Sequence, residues 1–419
     1  MKKIIFKLLF IISAILVFNS TFLIRNCQSQ WVQMSNGMGT DKSISSFALL
    51  GNNIFAGTWT YGVYLSTNDG LNWSQTNLNN QNVYNLATLG NNIFAGTSSG
   101  VYISTNNGST WSQTNNKHIT ALGILGNIIF AGIYNSPAYS GGVYISTNNG
   151  ANWMQTSLNN QWVYCFTTLG NNIFAGTNNG VYLSTNNGTN WTQSGLTDRY
   201  IYSFATRGNF IFAGSEEYMP NYGGVYYSTN NGSSWTQTTI NNVTVFSLAT
   251  YGNNVFSGPA YNGVYQSTNN GTNWFGINQG FNIVSTVRAL LITGNYIYAG
   301  RVEYSVWRRP LTDFAGIQNI STETPSAFSL SQNYPNPFNP TTTIRYELPR
   351  AGVVRLAVYD VMGREVEMLV NERLTAGSYE TVWNACLTNG QGTRFASGVY
   401  FYRLTTEGYG ETKRMLLIK

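Results

Sequence analysis

Acids, bases and nucleophiles are sparse in this chain, and those present decide which chemistry is open to it. A single histidine, His118, stands among 419 residues. A histidine-dependent triad therefore has one possible base, and a multi-histidine metal site is excluded. A lone histidine entering a strand from a loop is ordinarily a packing residue. Hydrolysis of a glycosidic bond needs two carboxylates at a defined separation. The carboxylates that could serve are Glu216, Glu217 and Asp198. No phosphate-binding Gly-Lys-Ser/Thr or dinucleotide fingerprint stands where a strand would lead into a helix, so no cofactor and no metal is expected. Binding without catalysis has more material. Trp59, Tyr61, Tyr134, Tyr139, Tyr218, Tyr222, Tyr261 and Tyr304 fall in expected loops, and His118, Trp162 and Tyr200 enter expected strands beside amides such as Asn82. Aromatic faces interleaved with neutral amides offer stacking area and adaptable hydrogen bonds to a sugar ring or a polypeptide.

These residues are carried by a repeat. Gly51-Asn52-Asn53-Ile54-Phe55-Ala56-Gly57 recurs from Gly90, Gly126, Gly170, Gly208, Gly252 and Gly294, seven copies spaced 36 to 44 residues apart. A period in this range signals a solenoid or propeller. A second motif, Ser66-Thr67-Asn68-Asp69-Gly70-Leu71-Asn72-Trp73, follows each of the first six, ending at Trp111, Trp153, Trp191, Trp235 and Trp274. One unit reads as four short strands, Val83 to Thr88, Ile93 to Thr97, Gly100 to Ser104 and Trp111 to Thr114, rich in β-branched and aromatic residues. Between the last two, Asn106-Asn107-Gly108 suits a turn needing positive φ, closed by the preceding serine hydroxyl. Tight turns of this kind close one face, so the longer loops and their aromatics belong to the other. The seventh unit lacks a fourth strand, and Trp31-Val32-Gln33 resembles Trp73-Ser74-Gln75; the N-terminus is expected to supply the missing strand and close a seven-bladed ring.

The six boxes resemble the Asp-box, or BNR, repeat S-x-D-x-G-x-x-W of sialidase-like, sortilin-like and photosystem-assembly-factor-like β-propellers, over about residues 31 to 314. Asn68, Asn106, Asn148, Asn186, Asn230 and Asn269 stand where the family has Asp. An amide oxygen still accepts from the turn, so the resemblance implies the fold but not a charged, metal-binding box. The sialidases of this group use an arginine cluster for the substrate carboxylate, a Tyr–Glu pair and an Asp, for which the resemblance would make Arg199, Arg288 and Arg301 with Glu216, Glu217 and Asp198 the candidates; none of them sits in a motif matching theirs residue by residue.

Charge is low, 9% of residues, against 15% aromatics, a balance that favours folded domains over disorder. Four of the six net positive charges reduce to Lys2, Lys3, Lys7 and Arg25; 8 basic residues face 7 acidic from Trp31 to Phe314, and 10 face 9 beyond. The pI is no footprint of nucleic acid. Met1-Lys2-Lys3 followed by the apolar run Leu8 to Phe18 reads as a signal peptide, residues 1–29, too short for a membrane span, with cleavage before Gln30. Of the three cysteines, Cys27 would leave with it, and Cys165 and Cys386 fall in different halves, so no intradomain disulfide can form; both read as buried, inert thiols. The Asn-Gly-Ser/Thr triplets match a glycosylation pattern through the turn alone.

After Phe314 the composition becomes more charged. Residues 316–328 read as a linker, and 329–419 as a small Ig-like β-sandwich with strands over Thr343 to Leu348, Val353 to Val361, Tyr379 to Trp383, Val399 to Leu404 and Arg414 to Ile418. Asn333-Tyr334-Pro335-Asn336-Pro337-Phe338-Asn339-Pro340, Tyr359-Asp360-Val361-Met362-Gly363-Arg364, Ser397-Gly398-Val399-Tyr400 and the terminal Lys413 to Lys419 resemble the type A sorting domain of the type IX secretion system. The resemblance implies passage of both membranes and the secretion machinery as a partner. The expectation is an all-β chain, a seven-bladed propeller over 30–315 followed by a sorting domain, exported to the surface or medium and binding a glycan or protein ligand without catalysis. The alternatives are a sialidase-like secreted glycoside hydrolase on the same scaffold and a purely structural surface protein.

Overall fold

The computed structural model describes residues 30–134, 141–216, 223–314, 318–321, 323–385 and 395–418. The expected signal peptide, Tyr139, Tyr218, Tyr222, Glu217 and Cys386 lie outside them. The chain divides into two compact units, one ending at Gly316 and one beginning at Ile317.

The first unit is a ring of seven four-stranded antiparallel sheets. Their first strands are Ile44–Leu50, Val83–Leu89, Ile119–Leu125, Val163–Leu169, Ile201–Arg207, Val245–Tyr251 and Val287–Ile292, and neighbouring first strands face one another around the ring. Each opens on a fully buried Ile or Val, and each second strand carries the buried Ile/Val-Phe/Tyr-Ala/Ser-Gly run that makes the core between blades. The glycine of that run has a steric reason. A Cβ on Gly96 would lie 2.7 Å from Ile119 Cγ2, and one on Gly132 would lie 2.8 Å from Val163 Cβ, so the next blade packs against bare backbone.

Each box closes the hairpin between third and fourth strands with the same bonds. Ser104 Oγ accepts from the Gly108 amide at 2.8 Å and donates to Asn106 Oδ1 at 3.0 Å, which accepts from the Thr110 amide at 2.9 Å. Asp69, Asn107, Asn149, Asn187, Asn231 and Asn270 hold φ of 53 to 57°, the left-handed conformation that Asn and Asp tolerate best among residues with a side chain. An asparagine oxygen thus does the work of the aspartate. The box tryptophans pack into core clusters with side chains of the preceding blade.

In the seventh sheet the strand order is Val287–Ile292, Tyr296–Arg301, Ser305–Pro310 and then Val32–Gln33, with Val32 opposite Arg308 and Gln33 opposite Trp307. Trp31 anchors this strand: it is buried, its Nε1 donates to the Ile277 carbonyl at 2.7 Å, and its ring stacks on Phe281 at 5.1 Å.

The second unit is a sandwich of two four-stranded antiparallel sheets around one core that includes Trp383, Tyr346 and Tyr402. Residues 316–328, expected as linker, contain the strand Gln318–Ser321, paired with Gly377–Asn384. Glu365–Leu374 is a further strand that the sequence reading missed, because its charged residues hide the alternation. Buried Asn333 donates from Nδ2 to Thr342 Oγ1 at 2.8 Å, and Asn336 Oδ1 accepts from the Leu416 amide at 2.9 Å. The proline-rich segment is thereby tied to the last strand. Among the described residues no helix is long and apolar enough to cross a membrane, and no group of three or more His, Cys, Asp and Glu could hold a metal ion.

Candidate functional site

At the long-loop end of the ring one backbone bond recurs in every blade. The residue after the second strand donates to the residue before the first: Trp59 to Ser43, Ser98 to Asn82, Tyr134 to His118, Asn178 to Trp162, Glu216 to Tyr200, Ala260 to Thr244 and Val302 to Thr286, at 2.7 to 3.2 Å. Each pair fixes two side chains at the same place in its blade. Just inside it every first strand is irregular: its first and third residues pair with consecutive residues of the second strand. The skipped residues are Ser45, Tyr84, Thr120, Tyr164, Tyr202, Phe246 and Arg288. A bulge of this kind re-aims a side chain.

The rim and bulge residues assemble into two runs built from rings of six blades and Arg288 of the seventh. In one, His118 stacks between Tyr84 and Tyr134, at 5.1 Å from each, and Tyr134 meets Trp162 at 4.6 Å. In the other, Tyr164 meets Tyr200 at 6.2 Å and Tyr202 at 4.8 Å, and Tyr202 meets Phe246 at 5.3 Å. The Arg288 guanidinium then lies 4.3 Å from the Phe246 ring and 4.4 Å from that of Trp59. These side chains are half-buried. Burial lowers the pKa of His118 and favours neutral imidazole. It also lowers that of Arg288, with Tyr202 and Tyr261 opposing, and its Nε–H meets no acceptor. Burial, reinforced by Glu216, raises the pKa of Tyr202 and keeps its phenol protonated. Tyr202 donates to Glu216 Oε2 at 3.1 Å.

The residues singled out from the sequence separate accordingly. Trp59, His118, Tyr134, Trp162, Tyr200, Glu216 and Arg288 come together in this circuit. Tyr261 is 82% exposed on the same end, and Tyr61 is exposed beneath Lys42, whose Nζ is 4.2 Å from the ring. The remaining arginines lie elsewhere. Arg199 packs on Tyr226 of the third strand of its blade, and Asp198 is exposed beside it, with its amide bonded to Asn179 Oδ1. The expectation of Arg301 as a free substrate arginine is corrected: it is fully buried, enclosed by Phe281, Tyr304 and Trp307 at 4.2 to 5.0 Å, and bonded to Ser285 Oγ and the Ile283 carbonyl. Burial there brings its pKa down to about 10. Tyr304 belongs to that packing.

Sequence reasoning missed Tyr84, Tyr164, Tyr202 and Phe246, because alternation along a strand does not reveal a bulge. A signal existed. The second residue of the first strand is aromatic in four of the seven copies, where alternation would set it on the face opposite the β-branched residue that precedes it in all seven. Cys165 occupies the third position; its thiol contacts the Ile201 carbonyl of the next blade, and burial pushes its pKa up. At the opposite end, a polar depression of about 310 Å³ lies among hairpin turns that include Gly51, Asn68, Asp69 and Gly294.

Residues 332–419 match the secretion system C-terminal sorting domain. The chain thus ends in a type IX sorting domain and is exported to the cell surface or beyond. No curated protein matches it. Among solved structures, the extracellular domain of BT4673 from B. thetaiotaomicron is similar at a TM-score of 0.57 and 18% identity, over 76% of this chain and 46% of that one. This chain therefore spans about half of that relative. YCF48 from Cyanidioschyzon merolae is similar at 0.52 and 14%, over 67% and 98%, and YCF48 has also been solved bound to D1 peptide. An ancestral GH74 enzyme is similar at 0.55 and 21%, over 90% and 59%. These likenesses establish the β-propeller fold.

Proposed function

We propose that the exported propeller is a non-catalytic binding module whose ligand, a glycan or a polypeptide, lies across the long-loop end of the ring and places an anionic group at Arg288. The carrying observation is the circuit of rings from six blades with Arg288 from the seventh. Half-buried rings at one end of a rigid ring provide stacking area without a cost in side-chain ordering. Arg288 is held half-buried between two rings with an unpaired Nε–H, and a carboxylate or sulfate that accepts from it forms a charge-assisted hydrogen bond. Relatives of the same fold include both a peptide binder and glycosidases.

A second reading has one observation in its favour. The Tyr202–Glu216 bond is the kind of pair a glycosidase could use, with Glu216 accepting the phenol proton. Against it, a second carboxylate is needed on the other side of the scissile bond, and Glu216 is the described carboxylate bonded into the circuit. The test presents the purified chain to neutral and acidic glycan arrays and to acidic peptide arrays, with reducing-end release measured in the same wells. Binding without release, lost on Trp162→Ala and reduced for anionic ligands on Arg288→Met, is the expected result. Release abolished by Glu216→Gln would establish the hydrolase instead, and no binding on any array would overturn both.

A further inference from the structure

Nine Asn-Gly pairs occur in the chain, and Asn-Gly is chemically fragile. The unhindered glycine nitrogen attacks the asparagine Cγ, an N–Cγ bond forms, the Cγ–Nδ2 bond breaks, and ammonia leaves. Water then opens the cyclic imide on either side to give aspartate or isoaspartate. No oxidant or reductant is involved. The attacking nitrogen must first give up its proton, which is harder when that N–H is already donated and the turn is locked.

Five pairs sit in boxes: Asn107-Gly108, Asn149-Gly150, Asn187-Gly188, Asn231-Gly232 and Asn270-Gly271. In all five the glycine is buried and its amide donates to the box serine at 2.8 to 2.9 Å. Two more are held by carbonyls, Gly180 by Arg199 at 2.8 Å and Gly263 by Ser285 at 3.2 Å. Asn389-Gly390 lies outside the described residues. Asn36-Gly37 differs from all of these. Both residues are exposed, and the Gly37 amide has no bond among those of the described residues. Glycine is nonetheless required there: φ is 88°, and a Cβ would collide with the Trp73 carbonyl.

We infer that the box serines chemically shield the Asn-Gly turns beneath them, and that Asn36 is the site of spontaneous deamidation among the described Asn-Gly pairs. The position gives the change a consequence. Asn36 joins the closing strand to the first blade: its carbonyl accepts from the Trp73 amide at 2.8 Å and its Nδ2 donates to Asn72 Oδ1. A carboxylate at residue 36 would face that oxygen without a proton to donate, and an isoaspartate would lengthen the main chain at the point where the ring closes.

The purified chain is held at about pH 8 and about 37 °C, and its peptides are mapped by mass for the gain of one unit that marks loss of the amide. Asn36 is expected to convert well ahead of the five box asparagines. In Ser104→Ala, Asn107 should convert about fivefold faster, the worth of one hydrogen bond, while Asn149, Asn187, Asn231 and Asn270 in the same molecule keep their rates. Ser104→Thr, which keeps the hydroxyl, should leave Asn107 slow. Equal rates at Asn36 and the boxes, an unchanged Asn107 in Ser104→Ala, or a uniform acceleration of all five would each overturn the inference.

Discussion

His118 illustrates how a residue that could do chemistry is given a packing role. Its imidazole lies between two phenol rings, and burial holds its pKa below the ordinary value of about 6.5. The folded state then binds this proton less readily than the unfolded chain, so stability rises with pH across the ordinary histidine range and falls as pH drops below it. Thermal melts between about pH 5 and about pH 7.5 should show this slope in the native chain, and a smaller one in His118→Phe, which keeps the stack without the titration. Identical slopes would mean the imidazole protonates equally in both states. Arg288 is the complementary case, a half-buried guanidinium whose Nε–H meets no acceptor. The sequence pointed to both residues by type, but not to Tyr84, Tyr164, Tyr202 and Phe246, which complete their surroundings.

Two local devices make the ring from near-identical strands. The bulge in each first strand turns one side chain per blade toward its neighbours at the long-loop end, and the glycine near the end of each second strand lets the following blade approach. A Cβ on Gly176 would stand 2.8 Å from the Ile201 carbonyl and 2.9 Å from Ile201 Cγ2. Backbone can yield little there, so Gly176→Ala should destabilise the chain by about 1–3 kcal/mol, the usual cost of overpacking. Denaturant titration would check this, and a loss below about 0.5 kcal/mol, the range of ordinary surface substitutions, would show that neighbouring blades can slide. The glycine was legible as part of the repeat, whereas its steric partner in the next blade was not.

At the scale of the whole molecule, closure joins residues more than 240 positions apart. The Trp31 side chain reaches Ile277, and Val32–Gln33 completes the last sheet. Removing this anchor leaves a large cavity and a seam, so Trp31→Ala should cost about 3–5 kcal/mol, in line with large aromatic deletions from cores. A melting temperature unchanged from the native chain would mean that the ring does not depend on its seam. The sorting domain is a separate unit with its own core, and its proline-rich segment is bonded to Thr342 through Asn333 and to the last strand through Asn336.

The sequence by itself determined the repeat number, the strand content of each blade, the box turns and the kind of C-terminal domain. Each of these depends on short-range pattern: β-branched alternation, Asn-Gly at a turn requiring positive φ, and a seventh unit one strand short. Only the tertiary structure decided which of many aromatics converge, that Arg301 is fully buried while Arg288 lies half-buried between Phe246 and Trp59, and that Glu216 meets Tyr202. The physical reason is that a bulge changes a side chain's direction without changing composition, and burial depends on what the neighbouring blade presents. Charge and aromatic character are read along the chain, but their surroundings come from residues 14 to 229 positions away, across the blade or across the seam.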